Sequence, residues 1–158
     1  MQDLVAGPVQ LHIGALETEV RVGPAAAPTA TMVLAMGTQQ IADAFFRRMP
    51  PTRLQVENAI QLVEDEVVRA RTLAPAGTWI CSADDDMRAI AALAGESAVS
   101  DRLLSLEDVE HTFNRWVDWV EGRPASQDDL PKSASFAARL LILRECMHHL
   151  QVHCVRLI

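Results

Sequence analysis

The stretch VQLHIGALETEVRVG, residues 9–23, predicts two short strands joined by a turn at Gly14. A second stretch, TWICSADDDMRAIAALAG at residues 78–95, predicts a buried strand, a tight turn and a helix that opens with three consecutive aspartates. A strand that runs into a helix N-terminus forms an anion site, because unpaired N–H groups and the helix dipole both point at the ligand. Three carboxylates at that position would repel a phosphate.

Composition indicates one globular domain spanning residues 1–158, since 49% of the residues are hydrophobic and 22% are charged. The formal net charge of −7 does not favour binding to nucleic acid or to an anionic membrane, because both attract basic protein surfaces. No apolar run is long enough to span a bilayer, and the N-terminus carries no secretory signal. We therefore expect a cytoplasmic protein with reduced, mostly buried thiols at Cys81, Cys146 and Cys154.

The rest of the chain predicts an alternation of strands and helices. A third strand covers residues 31–37, and helices run from Thr38 to Arg48 and from Thr52 to about residue 74. A strand lies around residues 79–81. Three further helices follow: one over residues 86–94, one that begins at Ser105, and one over about residues 135–150. A last strand covers residues 152–158. This order predicts an α/β fold, a mixed sheet of about five strands whose terminal strand pairs internally, with helices on its faces.

Apolar spacing predicts which side of each helix is buried. In the first helix the predicted buried residues are Ile41, Ala44, Phe45 and Arg48. In the second helix they are Leu54, Val56, Ile60, Val63 and Val67. In the helix after Ser105 they are Val109, Phe113, Trp116, Val117 and Val120. Thr52 is a predicted N-cap, and Ser105 with Asp108 predicts a capping box.

Four stretches, in order and spacing, resemble the exopolyphosphatase/guanosine pentaphosphate phosphohydrolase (Ppx/GppA) family. They are HIGALETE, against a family motif D-I-G-G-G-S-T-E; MGTQQIADAFFRRMPPT; SADDDMRAIA, against G-T-S-G-T-I-R-A-L-A; and LILRECMHHLQVHCVRLI, which ends like a G-I-E-R-I-R-V-S strand. The resemblance implies a bacterial-type protein whose whole chain, residues 1–158, is a single actin-like (ribonuclease H-like) lobe, the second, C-terminal lobe of that family.

Departures from the family motifs imply that phosphate chemistry is degenerate. His12 stands where the family has an aspartate that positions metal and water, and Ala15 and Leu16 replace two glycines whose N–H groups approach phosphate. Asp85 replaces a further glycine in the second loop. No catalytic residue is predicted, and the degenerate positions of the first loop are His12, Gly14, Glu17 and Glu19. The ligand-binding candidates are Asp84, Asp85, Asp86 and Arg88.

In the family the active site lies in a cleft between two lobes, and the first lobe supplies its own phosphate loop and a catalytic glutamate. No part of this sequence matches that lobe, and the sequence ends before the S-x-x-x-L-R-E-G stretch that follows the family's last strand. We therefore expect that a second chain completes the site or that the lobe does not catalyse a reaction.

Three functions follow as hypotheses. The leading hypothesis is a pseudoenzyme that acts through protein–protein contacts. It would form a homodimer or a higher assembly, or serve as an accessory subunit of another protein. Neither a nucleic acid nor a membrane is expected as a partner. Its candidate contact residues, which would equally suit a core, are Phe113, Trp116, Trp119, Phe136 and Leu140. The alternative is a partner-dependent phosphoanhydride hydrolase lobe that acts on polyphosphate or guanosine pentaphosphate.

The third hypothesis is a sensor of a metal or small ligand, since clustered carboxylates suit Mg²⁺. No cofactor is otherwise predicted. Zinc binding by the histidines and cysteines of the last helix and strand is not expected, because a helix that ends near Leu150 would make His148, His149 and His153 diverge.

Overall fold

Three antiparallel strands begin the chain. The structure is a computed structural model that describes residues 8–74, 77–95 and 103–158. Strands β1 (Val9–Ile13), β2 (Thr18–Val22) and β3 (Ala30–Leu34) form a meander in which His12 lies opposite Glu19. The two strands and the turn predicted from residues 9–23 are confirmed.

The sheet has six strands, in the order β3-β2-β1-β4-β6-β5. Strand β4 (Ile80–Ser82) is parallel to both β1 and β6 (Cys154–Leu157), and β5 (Leu103–Ser105) is antiparallel to β6. The prediction of a mixed sheet with an internally paired terminal strand is confirmed. Strand β5 was missed because it contains only three residues, too few to show an alternating pattern.

Five helices of at least eight residues connect the strands of the described chain: α1 (Thr38–Phe45), α2 (Arg53–Val68), α3 (Asp85–Ala94), α4 (Leu106–Val120) and α5 (Ala134–His149). Thr52 and Ser105 both form capping boxes, with Gln55 and Asp108 respectively, as their spacing predicted. None of the described helices is long and apolar enough to cross a membrane.

Two helix ends differ from the sequence prediction. Helix α1 ends at Phe45 rather than Arg48, so Ala44 and Arg48 are exposed and Phe46, just beyond the helix, is buried instead. Helix α2 ends at Val68 rather than near residue 74, and turns follow it.

The buried faces of α2 and α4 are also rotated from the predicted ones. On α2, Ala59 is buried while Leu54 is exposed and Ile60 is half-buried. On α4, Thr112 and Trp119 are buried, and Val117 and Val120 are only half-buried. Thr112 can be buried because its hydroxyl donates to the carbonyl of Asp108, 2.8 Å away, so its polar group is satisfied. Apolar spacing alone does not reveal such a hydrogen bond.

The helices form a layer around α5. Helices α1, α2 and α4 pack on α5, α3 packs on α4, and α5 contacts β1. Side chains of β1 alternate, with Val9, Leu11 and Ile13 buried and His12 exposed. Exposed residues on the face that carries His12 are Thr31, Val33, Leu103 and Arg156. We call this the open face, because no described helix covers it.

The aromatic residues predicted as contact residues belong to the core. Trp116 is 1% exposed and lies 5.6 Å from Phe46 and 5.7 Å from Phe113, measured between ring centroids. Trp119 and Leu140 are buried as well, and Phe136 is half-buried. Because α4 packs directly on α5, these side chains are covered within one chain. A contact between chains through the four buried side chains would require the core to open, so their assignment to an interface is corrected, whereas the half-buried Phe136 stays a candidate contact residue.

A buried ion pair ties the end of α3 to α4 and to the loop that follows α4. Arg115 donates to both carboxylate oxygens of Asp128, at 3.0 and 2.8 Å, and to the carbonyl of Leu93 at 3.0 Å. Asp128 also accepts from the amide of Leu130 at 2.9 Å. The hydrogen bond from Arg115 lowers the pKa of Asp128, against burial, which raises it. The pair therefore stabilises the loop with its carboxylate ionised.

We expect Asp128→Asn to lower the free energy of unfolding by roughly 1–3 kcal/mol, since Arg115 loses the less exposed of its two carboxylate partners. The matched control is Asp129→Asn, which removes an exposed carboxylate 2.8 Å from the same arginine and should cost less than about 0.5 kcal/mol. Urea unfolding measures both changes.

The pH dependence follows from the lowered pKa of Asp128 in the folded state. Its stabilising effect is complete above the unfolded-state pKa of about 3.9 and is lost as the pH falls through the lower folded-state value. The stability difference between the wild type and Asp128→Asn should therefore shrink in acid. Equal destabilisation by the two asparagine variants at pH 7 would contradict this assignment.

Candidate functional site

The two predicted loops lie side by side. Strands β1 and β4 are parallel neighbours, so the turn after β1 and the junction between β4 and α3 meet at the same edge of the sheet. A pocket of about 310 Å³ lies there, on the open face. It is lined by Gln10, Leu11, His12, Glu19, Arg21, Cys81, Ser82, Ala83, Asp84 and Ile158.

Asp84 joins the two loops. One of its carboxylate oxygens accepts a hydrogen bond from the backbone amide of Ile13 at 3.0 Å, and the other lies 2.6 Å from Nδ1 of His12. Although Asp84 is the N-cap residue of α3, its side chain does not cap that helix. The side chain is only 13% exposed. A carboxylate of the chain itself therefore accepts the hydrogen bond of the amide at the end of β1.

The other two aspartates point elsewhere. Asp85 is fully exposed and forms an ion pair with Arg88 at 2.8 Å. Asp86 pairs with Arg139 of α5 at 2.9 Å, and the same guanidinium donates to the carbonyl of Ile13 at 2.7 Å. Arg88 also donates to the carbonyl of Ile158. Each carboxylate has its own partner, so the geometry gives no support to the idea that the three bind one Mg²⁺ ion.

The turn between β1 and β2 is held rigidly by backbone contacts. The amide of Gly14 donates to the carbonyl of Glu17 at 2.9 Å, which closes the turn. At the start of α1, the amides of Thr38 and Gln39 donate to the carbonyls of Gly14 and Ala15, at 2.9 and 2.8 Å. These helix amides bind the turn, so they are not available to a ligand.

Gly37 allows this close approach between α1 and the turn. A Cβ atom at Gly37 would lie 2.4 Å from the backbone of Ala15. The first loop is therefore packed directly against the start of α1.

The glutamates of the first loop have different surroundings. Glu17 is exposed, whereas Glu19 lies in the pocket and accepts from Nε of Arg21 at 2.9 Å. Arg21 was missed in the sequence analysis, although a residue two positions after Glu19 in a strand shares its face. Arg139 was also missed, because nothing in the local sequence of α5 signals a contact with β1.

The pocket contains charges of both signs, with Glu19 and Asp84 beside Arg21 and His12. Arg21 already forms an ion pair with Glu19, and the His12 ring already contacts Asp84. A polyanion would have to displace a carboxylate to reach either one. The pocket suits a small polar or neutral group better than a phosphate.

No protein family matches the chain by sequence, and no curated protein does either. Solved structures do match. The type II variant of the Ppx/GppA phosphatase from Aquifex aeolicus is 16% identical, with a TM-score of 0.75 over 96% of this chain and 53% of that one. An exopolyphosphatase from Cytophaga hutchinsonii is 12% identical, with a TM-score of 0.69 over 96% and 53%. An exopolyphosphatase-like protein is 14% identical, with a TM-score of 0.72 over 98% and 57%.

These similarities cover nearly all of this chain but only about half of each solved structure. At such low identity they establish architecture. The α/β lobe predicted from the four sequence stretches is confirmed at this level. The chain has the fold of one actin-like lobe of the Ppx/GppA structures.

Proposed function

We propose that this chain is a lobe that does not hydrolyse phosphoanhydrides and acts by contact with a separate protein subunit. The observation that carries the proposal is the Asp84 carboxylate, which binds the amide of Ile13 and contacts His12 between the two loops. The loop edge is thereby closed to the anions that such strand-to-helix junctions otherwise bind.

Electrostatics at the loop edge supports the first part of the proposal. A phosphate at the end of β1 would have to displace Asp84 from two partners and approach Asp85 and Asp86 in the first turn of α3. Arg88 and Arg139 offset part of these charges, and each already forms an ion pair. Like charges at such short range disfavour the phosphate-bound state.

The extent of the fold supports the second part. The similar structures are about twice as long as this chain, so an arrangement of that kind needs a second lobe. The open face offers a surface for it, with Val33 46% exposed beside Thr31 on the edge strand β3, and with Arg156 exposed on β6 at the other side of the sheet. Two copies of a chain with net charge −7 repel each other. This repulsion favours a different protein over a second copy as the partner.

The alternative function is a hydrolase lobe that becomes active when a partner completes it. One observation favours it. Glu19, which keeps the glutamate of the D-I-G-G-G-S-T-E motif, lies in the pocket between the loops. In that case the partner would supply the remaining phosphate ligands, and the substrate would be polyphosphate or guanosine pentaphosphate.

We expect the purified chain to release no phosphate from polyphosphate, guanosine pentaphosphate or ATP above the background rate, because the loop amides are already bound. A phosphate-release assay with Glu19→Gln as the matched variant measures this. Turnover that Glu19→Gln abolishes would contradict the proposal. Turnover that appears only with an added partner would establish the alternative.

Replacing Asp84 should open the anion position. In Asp84→Ser the amide of Ile13 loses its carboxylate partner, so pyrophosphate should bind at least about tenfold more tightly than to the wild type, a gain of roughly 1.4 kcal/mol. The control is Asp85→Ser, which removes a fully exposed carboxylate from the same turn. Calorimetric titration measures both affinities. Equal gains in the two variants would mean that net charge, not the occupied amide, excludes the anion.

The contact surface can be tested with two exposed residues on opposite sides of the molecule. Val33→Asp changes the open face and should abolish a stable complex with the partner subunit, whereas Leu54→Asp, on the helix layer, should leave it intact. Sedimentation velocity on the complex purified from its source measures both. A complex that only Leu54→Asp disrupts would place the contact on the helix layer and overturn the proposal.

A further inference from the structure

Three potential metal ligands converge on the side of the helix layer, away from the pocket. Glu145 and His149 lie one turn apart near the end of α5, so their side chains share a face. Glu64 of α2 meets them across the contact between the two helices. The three ligand atoms all lie within 4.8 Å of one another.

The distances fit a metal site better than an ion pair. Nε2 of His149 lies 3.4 Å from Oε2 of Glu145 and 3.5 Å from Oε1 of Glu64. A charge-assisted hydrogen bond would be about 2.7–2.9 Å long. Two ligands on a tetrahedral zinc ion, with bonds of about 2.0–2.1 Å, lie about 3.3–3.4 Å apart. The two separations from His149 are therefore those expected of ligands on a shared ion, and the two carboxylate oxygens lie within 4.8 Å of each other.

Burial and Arg144 together fix the orientation of the Glu145 carboxylate. Glu145 is 4% exposed in a helix whose neighbouring residues Cys146 and Met147 are fully buried. A buried carboxylate requires compensating positive charge. Arg144 binds Oε1 of Glu145 at 2.5 Å, which leaves Oε2 directed at His149. Arg144 thus orients the carboxylate, as partners of metal ligands commonly do.

We propose that Glu64, Glu145 and His149 bind a zinc ion that fixes α2 to the end of α5. One imidazole and two carboxylates suit zinc better than Mg²⁺ or Ca²⁺, which prefer oxygen ligands alone. Three protein ligands leave one coordination position for water. The site is independent of the loop edge, and it differs from the histidine and cysteine set of the sequence analysis, since His148 instead contacts Glu110 and His153 is exposed.

Metal binding to the purified chain tests the proposal. After exhaustive chelation and return of zinc, the wild type should bind one zinc ion per chain by elemental analysis. Its Tm should rise by roughly 5–10 °C at a free zinc concentration one hundred times Kd. Co²⁺ should give the visible absorption of a tetrahedral complex. Equal concentrations of Mg²⁺ should leave the Tm unchanged.

Three variants decide which residues bind the ion. His149→Gln should lose both the Tm shift and the cobalt absorption, and Glu64→Gln, at a half-buried position, should weaken zinc binding at least tenfold. His153→Gln is the matched control, since it removes an exposed histidine from the same end of the chain, and it should bind as the wild type does. If His149→Gln fails to fold, Glu64→Gln gives the answer alone. Wild-type zinc affinity in both His149→Gln and Glu64→Gln, or loss of binding only in His153→Gln, would overturn the proposal.

Discussion

The contact between Asp84 and the end of β1 determines which hydrogen-bonding groups the loop edge offers to a ligand. Its carboxylate binds the Ile13 amide and lies beside His12, so two loops from distant parts of the sequence are joined at one point. The carboxylate is largely excluded from solvent, where its hydrogen bonds are stronger than in water. Junctions between a strand and a helix can bind anions, and in this lobe the Asp84 carboxylate takes the place of such an anion.

Ion pairs extend this pattern through the helix layer. Arg139 connects α5 to Asp86 and to the backbone of Ile13, and Arg115 connects α4 to Asp128 and to the end of α3. Asp84 and Asp86 are thus bound to other elements of the lobe. The open face, whose side chains are partly apolar and exposed, is the surface that we propose for contact with a partner.

Local signals predicted most of the fold. The capping boxes at Thr52 and Ser105 depend on residues three positions apart, and so could be recognised from the sequence. The stripe that contains Trp116 was recognised too, but the sequence could not say whether a neighbouring helix or another chain covers it. In the structure α5 covers it.

The candidate site could be predicted only in part. Both loops and their acidic residues were found, because each is a continuous stretch. The partner of each carboxylate could not be inferred, since Asp84 pairs with β1 and Asp86 with α5 through contacts between residues far apart in the chain.

The central claim is that Asp84 occupies the anion position. The most direct measurement is a titration of the ¹⁵N-labelled wild type with pyrophosphate, followed at the backbone amides. The account predicts that the Ile13 and Gly14 resonances do not move up to millimolar concentration, whereas a saturable shift of the Ile13 amide would contradict it.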